Sequence, residues 1–196
     1  YVVDLVLSGD GQQLWSASDL KIQETDLSAG IGSLLLTDVI TGTETVDDFE
    51  GVEVSADKST LYATNAQRNQ VEVISLSTET VTTTVTTGLD PEEIAFRPGT
   101  DQLHVTNQGG NSVTVFSATT NSVTGTMSLS LTEPRGLAFV PDGSEGYVVM
   151  AGSNAVIYYD PSTQSESGSI SVGAAPEDVV VFDVVENAGV EDWIVY

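Results

Sequence analysis

Between Pro91 and Pro176 the chain runs through nearly the same pattern twice, and the stretch before it carries two more divergent copies. Pro91, Pro134 and Pro176 mark a period of about 42 residues. Leu61-Tyr62-Ala63-Thr64-Asn65, Leu103-His104-Val105-Thr106-Asn107 and Gly146-Tyr147-Val148-Val149-Met150 hold one place in successive copies, with Leu14-Trp15-Ser16-Ala17-Ser18 in the first. Val71-Glu72-Val73-Ile74-Ser75, Val113-Thr114-Val115-Phe116-Ser117 and Val156-Ile157-Tyr158-Tyr159-Asp160 hold the next, with Leu34-Leu35-Leu36-Thr37-Asp38 in the first. Apolar and variable positions alternate with period two, which is the spacing of strands. Turns such as Pro98-Gly99-Thr100-Asp101 and Pro141-Asp142-Gly143 reverse the chain between them. A unit this short cannot bury a core alone, so it must stack on its neighbours. The pattern predicts an all-β chain, a β-propeller of four-stranded antiparallel blades, with units over 1–48, 49–90, 91–133, 134–175 and a partial one over 176–196. That is roughly four and a half units.

Composition narrows the partners. With 29 acidic residues against 5 basic ones the formal charge is −24, which repels a phosphate backbone, so nucleic acid is excluded as a partner. No apolar run approaches the roughly 20 residues that span a bilayer, so membrane insertion is not expected. The chain has no cysteine, hence neither disulfides nor thiolate chemistry. Tyr1 is not a start methionine, so the chain is expected to have been processed or cut from something longer, which leaves room for a removed secretion signal.

The three units in register resemble the YVTN family of β-propeller repeats, whose signature is a Tyr-Val-Thr-Asn strand followed by a Val-x-Val-Ile-Asp strand. Leu61 to Asn65, Leu103 to Asn107 and Gly146 to Met150 stand at the first of these, and Val71, Val113 and Val156 open the second. The resemblance implies a ring that usually closes with seven blades, of which this chain supplies a part. It also implies kinship with surface-layer and bacterial cell-surface proteins, and more distantly with propeller lactonases and lyases.

Labelling strands A to D from the channel outward, the chain opens on an A strand at Leu5 to Leu7 and ends on a fifth-unit B strand at Trp193 to Tyr196. The edge of that last strand requires cover, from further chain, from another subunit or from an unusual ring closure. In a propeller the D-to-A and B-to-C connections meet on one face at the channel mouth. Glu50, Glu92, Arg135 and Glu177 hold equivalent positions there, with Val3 in the first unit and with Glu93 and Asp178 as charged neighbours. Carboxylates converging at a mouth attract a cationic group, and they are the donors that Ca²⁺ takes. Arg135 interrupts the ring and no calcium-loop spacing is present, so no resident cofactor is expected.

The first unit departs from the others. Aligning Leu34 to Asp38 as its C strand makes residues 19–32 an insertion in the B-to-C connection, on the mouth face, with Leu20, Ile22 and Leu27 as candidate binding residues. His104 is the only histidine and occupies the slot of Trp15, Tyr62 and Tyr147, so it reads as a ring packed between blades in place of a catalytic base. Asn65, Asn107 and Asn111 read as turn residues, and Asp38 and Asp160 as polar ends of C strands.

The sequence therefore predicts a non-enzymatic extracellular or cell-surface module for protein interaction, adhesion or surface assembly. Its partner would be a protein or cell-envelope component, with homo-oligomers or assembly through the terminal strand. Two alternatives stay open. One is a propeller enzyme of lactonase or lyase type with a carboxylate-held metal at the channel mouth; the other is a structural repeat in a filament or surface-layer lattice.

Overall fold

A strand that alternates side chains between two faces gives each sheet of a repeat array two apolar surfaces, one for the sheet before it and one for the sheet after. The computed structural model describes residues 4–18, 21–28, 36–41 and 48–182. Blade 1 comprises β1 (Asp4–Leu7), β2 (Gln13–Ser18), β3 (Lys21–Asp26) and β4 (Leu36–Thr41). Blade 2 comprises β5 (Phe49–Val54), β6 (Thr60–Asn65), β7 (Gln70–Ser75) and β8 (Thr80–Thr86). Blade 3 comprises β9 (Pro91–Phe96), β10 (Gln102–Asn107), β11 (Ser112–Ser117) and β12 (Ser122–Ser128). Blade 4 comprises β13 (Pro134–Phe139), β14 (Gly146–Met150), β15 (Ala155–Asp160) and β16 (Ser165–Ser171). Each blade is one antiparallel sheet whose strands follow chain order. No helix among the described residues is long and apolar enough to cross a membrane.

The core lies between the blades. Trp15, Ala17 and Ile22 of blade 1 pack on Val52, Val54, Leu61 and Ile74 of blade 2. Tyr62, Val71, Val73 and Val85 pack on Ile94, Leu103, Val105 and Phe116 of blade 3. Val113, Val115 and Met127 pack on Leu137, Phe139, Val148, Ile157 and Tyr159 of blade 4. Each blade thus meets its predecessor with one face, here called leading, and its successor with the other, here called trailing. At roughly 25 cal/mol per Å² of apolar surface, these three interfaces outweigh anything a single blade could bury alone.

The first unit is built differently from the sequence reading. Of the insertion expected over 19–32, Lys21–Asp26 is instead strand β3, paired in register with β2 from Ser18↔Lys21 to Gln13↔Asp26, and 19, 20 and 29–32 lie outside the described residues. The B-to-C connection therefore lies between the paired residues Ser18 and Lys21. Leu36, the last residue of the apolar run that mimics a C strand, opens the outer strand β4 instead. Ile22 is fully buried in the core between blades 1 and 2, so it is not a binding residue. Leu27 follows β3 and donates its N–H to the Gln12 carbonyl at 2.7 Å, which places it by the A-to-B turn on the face opposite the mouth. Leu20 lies outside the described residues. Asp38 pairs with Gln23 within β4 and does not end a C strand. Asp160 does end one, where its Oδ1 accepts from Ser162 N and Ser162 Oγ.

In the fifth unit, residues 176–182 form no strand, but Val179 is buried against Val149 and Val156 of blade 4. Trp193 to Tyr196 lie outside the described residues.

Candidate functional site: the channel mouth

The innermost strand of each blade is paired on one side only, so its other edge turns free N–H groups toward the channel. Short-range carboxylates answer that need. Asp4 Oδ1 accepts from Leu5 N at 2.7 Å, Glu53 Oε1 from Val54 N at 2.9 Å, Glu93 Oε1 from Ile94 N at 3.1 Å and Asp178 Oδ1 from Val179 N at 2.7 Å. Two of these side chains also reach the next blade, Asp4 Oδ2 accepting from Val52 N at 2.8 Å and Glu53 Oε2 from Phe96 N at 3.3 Å.

A β-bulge near the start of each inner strand aims the mouth residues. In blade 3 the register slips between Val105↔Ile94 and Asn107↔Pro91, so Glu92 and Glu93 together oppose Thr106 alone. The same slip sets Glu50 and Gly51 against Thr64, and Arg135 and Gly136 against Val149. Two consecutive residues then leave the strict alternation of a strand, which is how a bulge redirects side chains. The threonine fills the gap: Thr106 Oγ1 accepts from Glu93 N at 3.0 Å and donates to the Arg135 carbonyl of the next blade at 2.8 Å. Thr64 does the same between Gly51 N and the Glu92 carbonyl, both at 2.7 Å. In blade 4, where Val149 has no hydroxyl, Gly136 N bonds directly to the Glu177 carbonyl at 3.2 Å.

The loops that deliver these residues are clamped from the B-to-C turns. Asn69, Asn111 and Asn154 each adopt a left-handed conformation, which asparagine tolerates better than most residues. Their Oδ1 atoms accept from Asp90 N, Glu133 N and Ala175 N at 2.8, 2.9 and 2.9 Å. Each contacted amide belongs to the residue just before Pro91, Pro134 or Pro176, so the mouth residue after each proline starts from a fixed backbone. The turn role expected of Asn111 is therefore specific. Asn65 also serves a turn, its Oδ1 accepting from Arg68 N at 3.2 Å, whereas Asn107 is a buried strand end whose Oδ1 accepts from Gly88 N and whose Nδ2 donates to Thr114 Oγ1.

The outcome is one cavity of about 180 Å³ lined by Asp4, Glu50, Glu92, Glu93, Arg135, Gly136, Glu177 and Asp178. All six mouth residues predicted from the repeat line it, while Leu20, Ile22 and Leu27 do not. Val3 lies outside the described residues, and Asp4 is the lining residue that the sequence reading missed. Its signal was present, because Asp4, Gly51, Glu93, Gly136 and Asp178 occupy equivalent places. The glycines belong there for a steric reason: a Cβ on Gly51 would stand 2.5 Å from the Glu92 carbonyl oxygen, and one on Gly136 would stand 2.5 Å from Asp178 Oδ1.

Partial burial and crowding raise the carboxyls of Asp4, Glu92 and Glu93 above their ordinary values. Burial, opposed by the hydrogen bonds from Val52 N and Leu5 N and reinforced by Asp178, raises Asp4. Burial above all, then the charge of Asp4, pushes Glu93 well above the usual carboxylate range. Burial raises Glu92, though Arg135 pulls the other way. Deeper along the inner strands, burial lifts Glu53 from 4.5 to about 7. Arg135 Nη1 donates to Glu177 Oε2 at 2.7 Å across the half-exposed rim, while its Nε is buried without a partner.

Six carboxylates against one guanidinium give the cavity a negative field. Among the described residues no three acidic or imidazole side chains stand close enough together to hold a metal. Asp4, Glu93 and Asp178 each spend an oxygen on a backbone amide. His104 is fully buried, its Nδ1 2.9 Å from Tyr159 Oη and its ring edge-on to Phe139 at 5.0 Å. Tyr62, Trp15 and Tyr147 likewise pack between blades.

Comparison with known proteins shows the fold. A chain of Kuenenia stuttgartiensis hydrazine synthase superposes with a TM-score of 0.78 at 18% identity, covering 92% of this chain and 52% of that one. A chain of a mitotic checkpoint complex superposes with a TM-score of 0.76 at 17% identity, covering 92% of this chain and 53% of that one. Both neighbours are β-propeller-type folds, and the chain spans about half the length of each. No family model and no curated protein matches the sequence.

Proposed function

We propose, from the premise of a propeller-type fold, that this chain is a non-enzymatic extracellular or cell-surface module that binds a protein or cell-envelope partner at its acidic channel mouth. The partner contributes a cationic group, a lysine or arginine side chain or a free amine. The observation that carries this reading is the convergence of Asp4, Glu50, Glu92, Glu93, Glu177 and Asp178 on a single cavity in which Arg135 is the one cation among the lining residues. A formal charge of −24 concentrates cationic partners around the molecule, and the cavity gives that attraction a place to end. Rigid inner strands, bulges and asparagine clamps hold the rim in position, which lowers the ordering cost of binding. The likeness of the repeats to the YVTN type supports a surface location, and a neighbour in a mitotic checkpoint complex supports use of the fold in protein assembly.

A short lysine-rich peptide titrated calorimetrically tests the reading. The double variant Glu92→Gln/Glu177→Gln should lose at least about tenfold in affinity, whereas Glu79→Gln, on an exposed turn, should not. Equal losses from both would place the attraction in the diffuse charge and sink the mouth as a site.

Lactonase- or lyase-type chemistry is the second reading. What favours it is the pair of proton-holding buried acids Glu53 and Glu93, since perturbed carboxylates gather at catalytic centres. Stoichiometric divalent metal after purification, together with turnover abolished by Glu93→Gln, would support it over the binding module.

A further inference from the structure

The mouth already contains a cationic group of its own. Where blades 2 and 3 and the fifth unit carry Glu50, Glu92 and Glu177, blade 4 carries Arg135. Its guanidinium serves acids on both sides. Nη1 donates to Glu177 Oε2 at 2.7 Å, and while burial raises the Glu92 carboxyl, the charge of Arg135 opposes that rise. The backbone beneath Arg135 is fixed: its carbonyl accepts from Thr106 Oγ1 at 2.8 Å, and Gly136 N donates to the Glu177 carbonyl at 3.2 Å. Asn111 Oδ1 holds the chain two residues earlier, at Glu133 N. The side chain is held less completely. Among the described residues its guanidinium meets Glu177 through one nitrogen and not as a two-pronged pair, and its Nε is buried without a partner. An unmade buried hydrogen bond opposes the inward pose, and turning outward returns that N–H to water. With 36% of the side chain already exposed, rotation about its own torsions is enough and no backbone contact has to break.

We propose, resting on the channel-mouth reading, that Arg135 is a tethered competitor for that site: it occupies the cation position in the free protein, and a partner's cationic group binds by displacing it toward solvent. Six acids converging on one cavity repel one another, and Arg135 supplies a counter-charge while no partner is present. A bound lysine or arginine supplies the same counter-charge. The internal guanidinium is then redundant at the rim and is repelled by the newcomer, so the two cations exclude each other. Because the competitor is tied to the site by its own backbone, dilution does not remove it. The mouth binds only in the fraction of molecules whose arginine is turned outward, and the apparent affinity falls by that fraction. Arg135 thus sets the threshold at which a cationic partner is captured, and it does so without any movement of the blades.

Calorimetric titration of the parent, Arg135→Gln and Arg68→Gln with an acetylated, amidated lysine-rich peptide in about 0.1 M salt tests the competition. Arg68 is exposed on the B-to-C turn of blade 2 and does not line the cavity, so its substitution changes the net charge equally but outside the site. Arg135→Gln should tighten binding at least about tenfold, and Arg68→Gln by no more than about twofold. Binding by Arg135→Gln no tighter than by Arg68→Gln would overturn the competitor, and weaker binding would overturn it by making Arg135 a contact to the partner or a support for the acids. In both cases the loss from Glu92→Gln/Glu177→Gln in the parent persists, so the mouth survives as a site. Failure of the mouth itself shows differently, as equal losses from that double variant and from Glu79→Gln, and the competitor falls with it. A second readout uses the parent protein. The Arg135 Nε–H, assigned in nitrogen-edited NMR spectra by its absence from Arg135→Lys, is shielded from water in the free state. Its exchange with solvent should accelerate at least about tenfold on saturation with the peptide, because the displaced side chain lies in water. Exchange that stays constant or slows would show that the guanidinium remains in the mouth beside the peptide, and would refute the displacement.

Discussion

Replacing Glu53 by glutamine should stabilise the protein at neutral pH relative to mildly acidic pH, and the size of the effect follows from where Glu53 sits. Burial between the inner strands of blades 2 and 3 raises its carboxyl from 4.5 to about 7. The folded state therefore holds a proton that the unfolded chain releases. Stability from this group is fully present below 4.5 and is lost as the pH rises through about 7. Taking about 1.36 kcal/mol per pKa unit, the penalty is about 1.4 kcal/mol near pH 5.5 and about 3 kcal/mol near pH 7.5. Glutamine cannot ionise, yet its carbonyl oxygen still accepts one of the two backbone N–H groups, from Val54 or Phe96, that the carboxylate serves. Losing the other contact costs the same at both pH values and cancels in the comparison. Asp4, Glu92 and Glu93 are present in both proteins and cancel to first order. Urea unfolding of parent and variant at fixed ionic strength, near pH 5.5 and near pH 7.5, should give a stability difference that moves in favour of the variant by about 2 kcal/mol. A difference that stays constant would show that Glu53 ionises as it does in water, and would refute the picture of a dry, crowded inner channel.

His104 drives stability in the opposite direction. Burial, with Arg97 nearby, lowers it from 6.5 to about 3, so it stays neutral in the fold and its contribution is present above 6.5 and lost as the pH falls toward about 3; His104→Gln should remove about 1–2 kcal/mol of acid sensitivity near pH 5.5 in the same urea assay. Thr106→Val should cost about 1–3 kcal/mol, because it strips Glu93 N and the Arg135 carbonyl of a shared partner inside the bulge; thermal unfolding would show it, and a neutral result would mean that the two groups pair directly as in blade 4. Gly51→Ala should cost about 1–3 kcal/mol, since the new methyl meets a backbone carbonyl of the next blade, with the loss read as a lower urea midpoint at unchanged slope.

How far the molecule was legible in its sequence depends on the repeat. Where three units align, strand order, inner and outer positions and the mouth set Glu50, Glu92, Glu93, Arg135, Glu177 and Asp178 could be placed, because side chains at one register in a stacked array must share one height along its axis. In the first unit the same reasoning failed. Leu34-Leu35-Leu36 looks more like a C strand than Lys21-Ile22-Gln23 does, and only the pairing of Ile22 with Ala17 and its burial against blade 2 decide for the polar segment. The aromatic slot of His104 was visible, but its partner Tyr159, fifty-five positions away in the next blade, was not.

The amino-acid order alone determined that this chain forms four-stranded blades, where their turns fall and which acids gather at one rim, because each of these is local or repeats with the unit. Tertiary structure alone decided that bulges swing consecutive residues such as Glu92 and Glu93 into one cavity, and that burial there raises their carboxyls above the ordinary value. Each of those depends on what stands opposite a residue across a gap between blades, and distance along the chain carries no record of that.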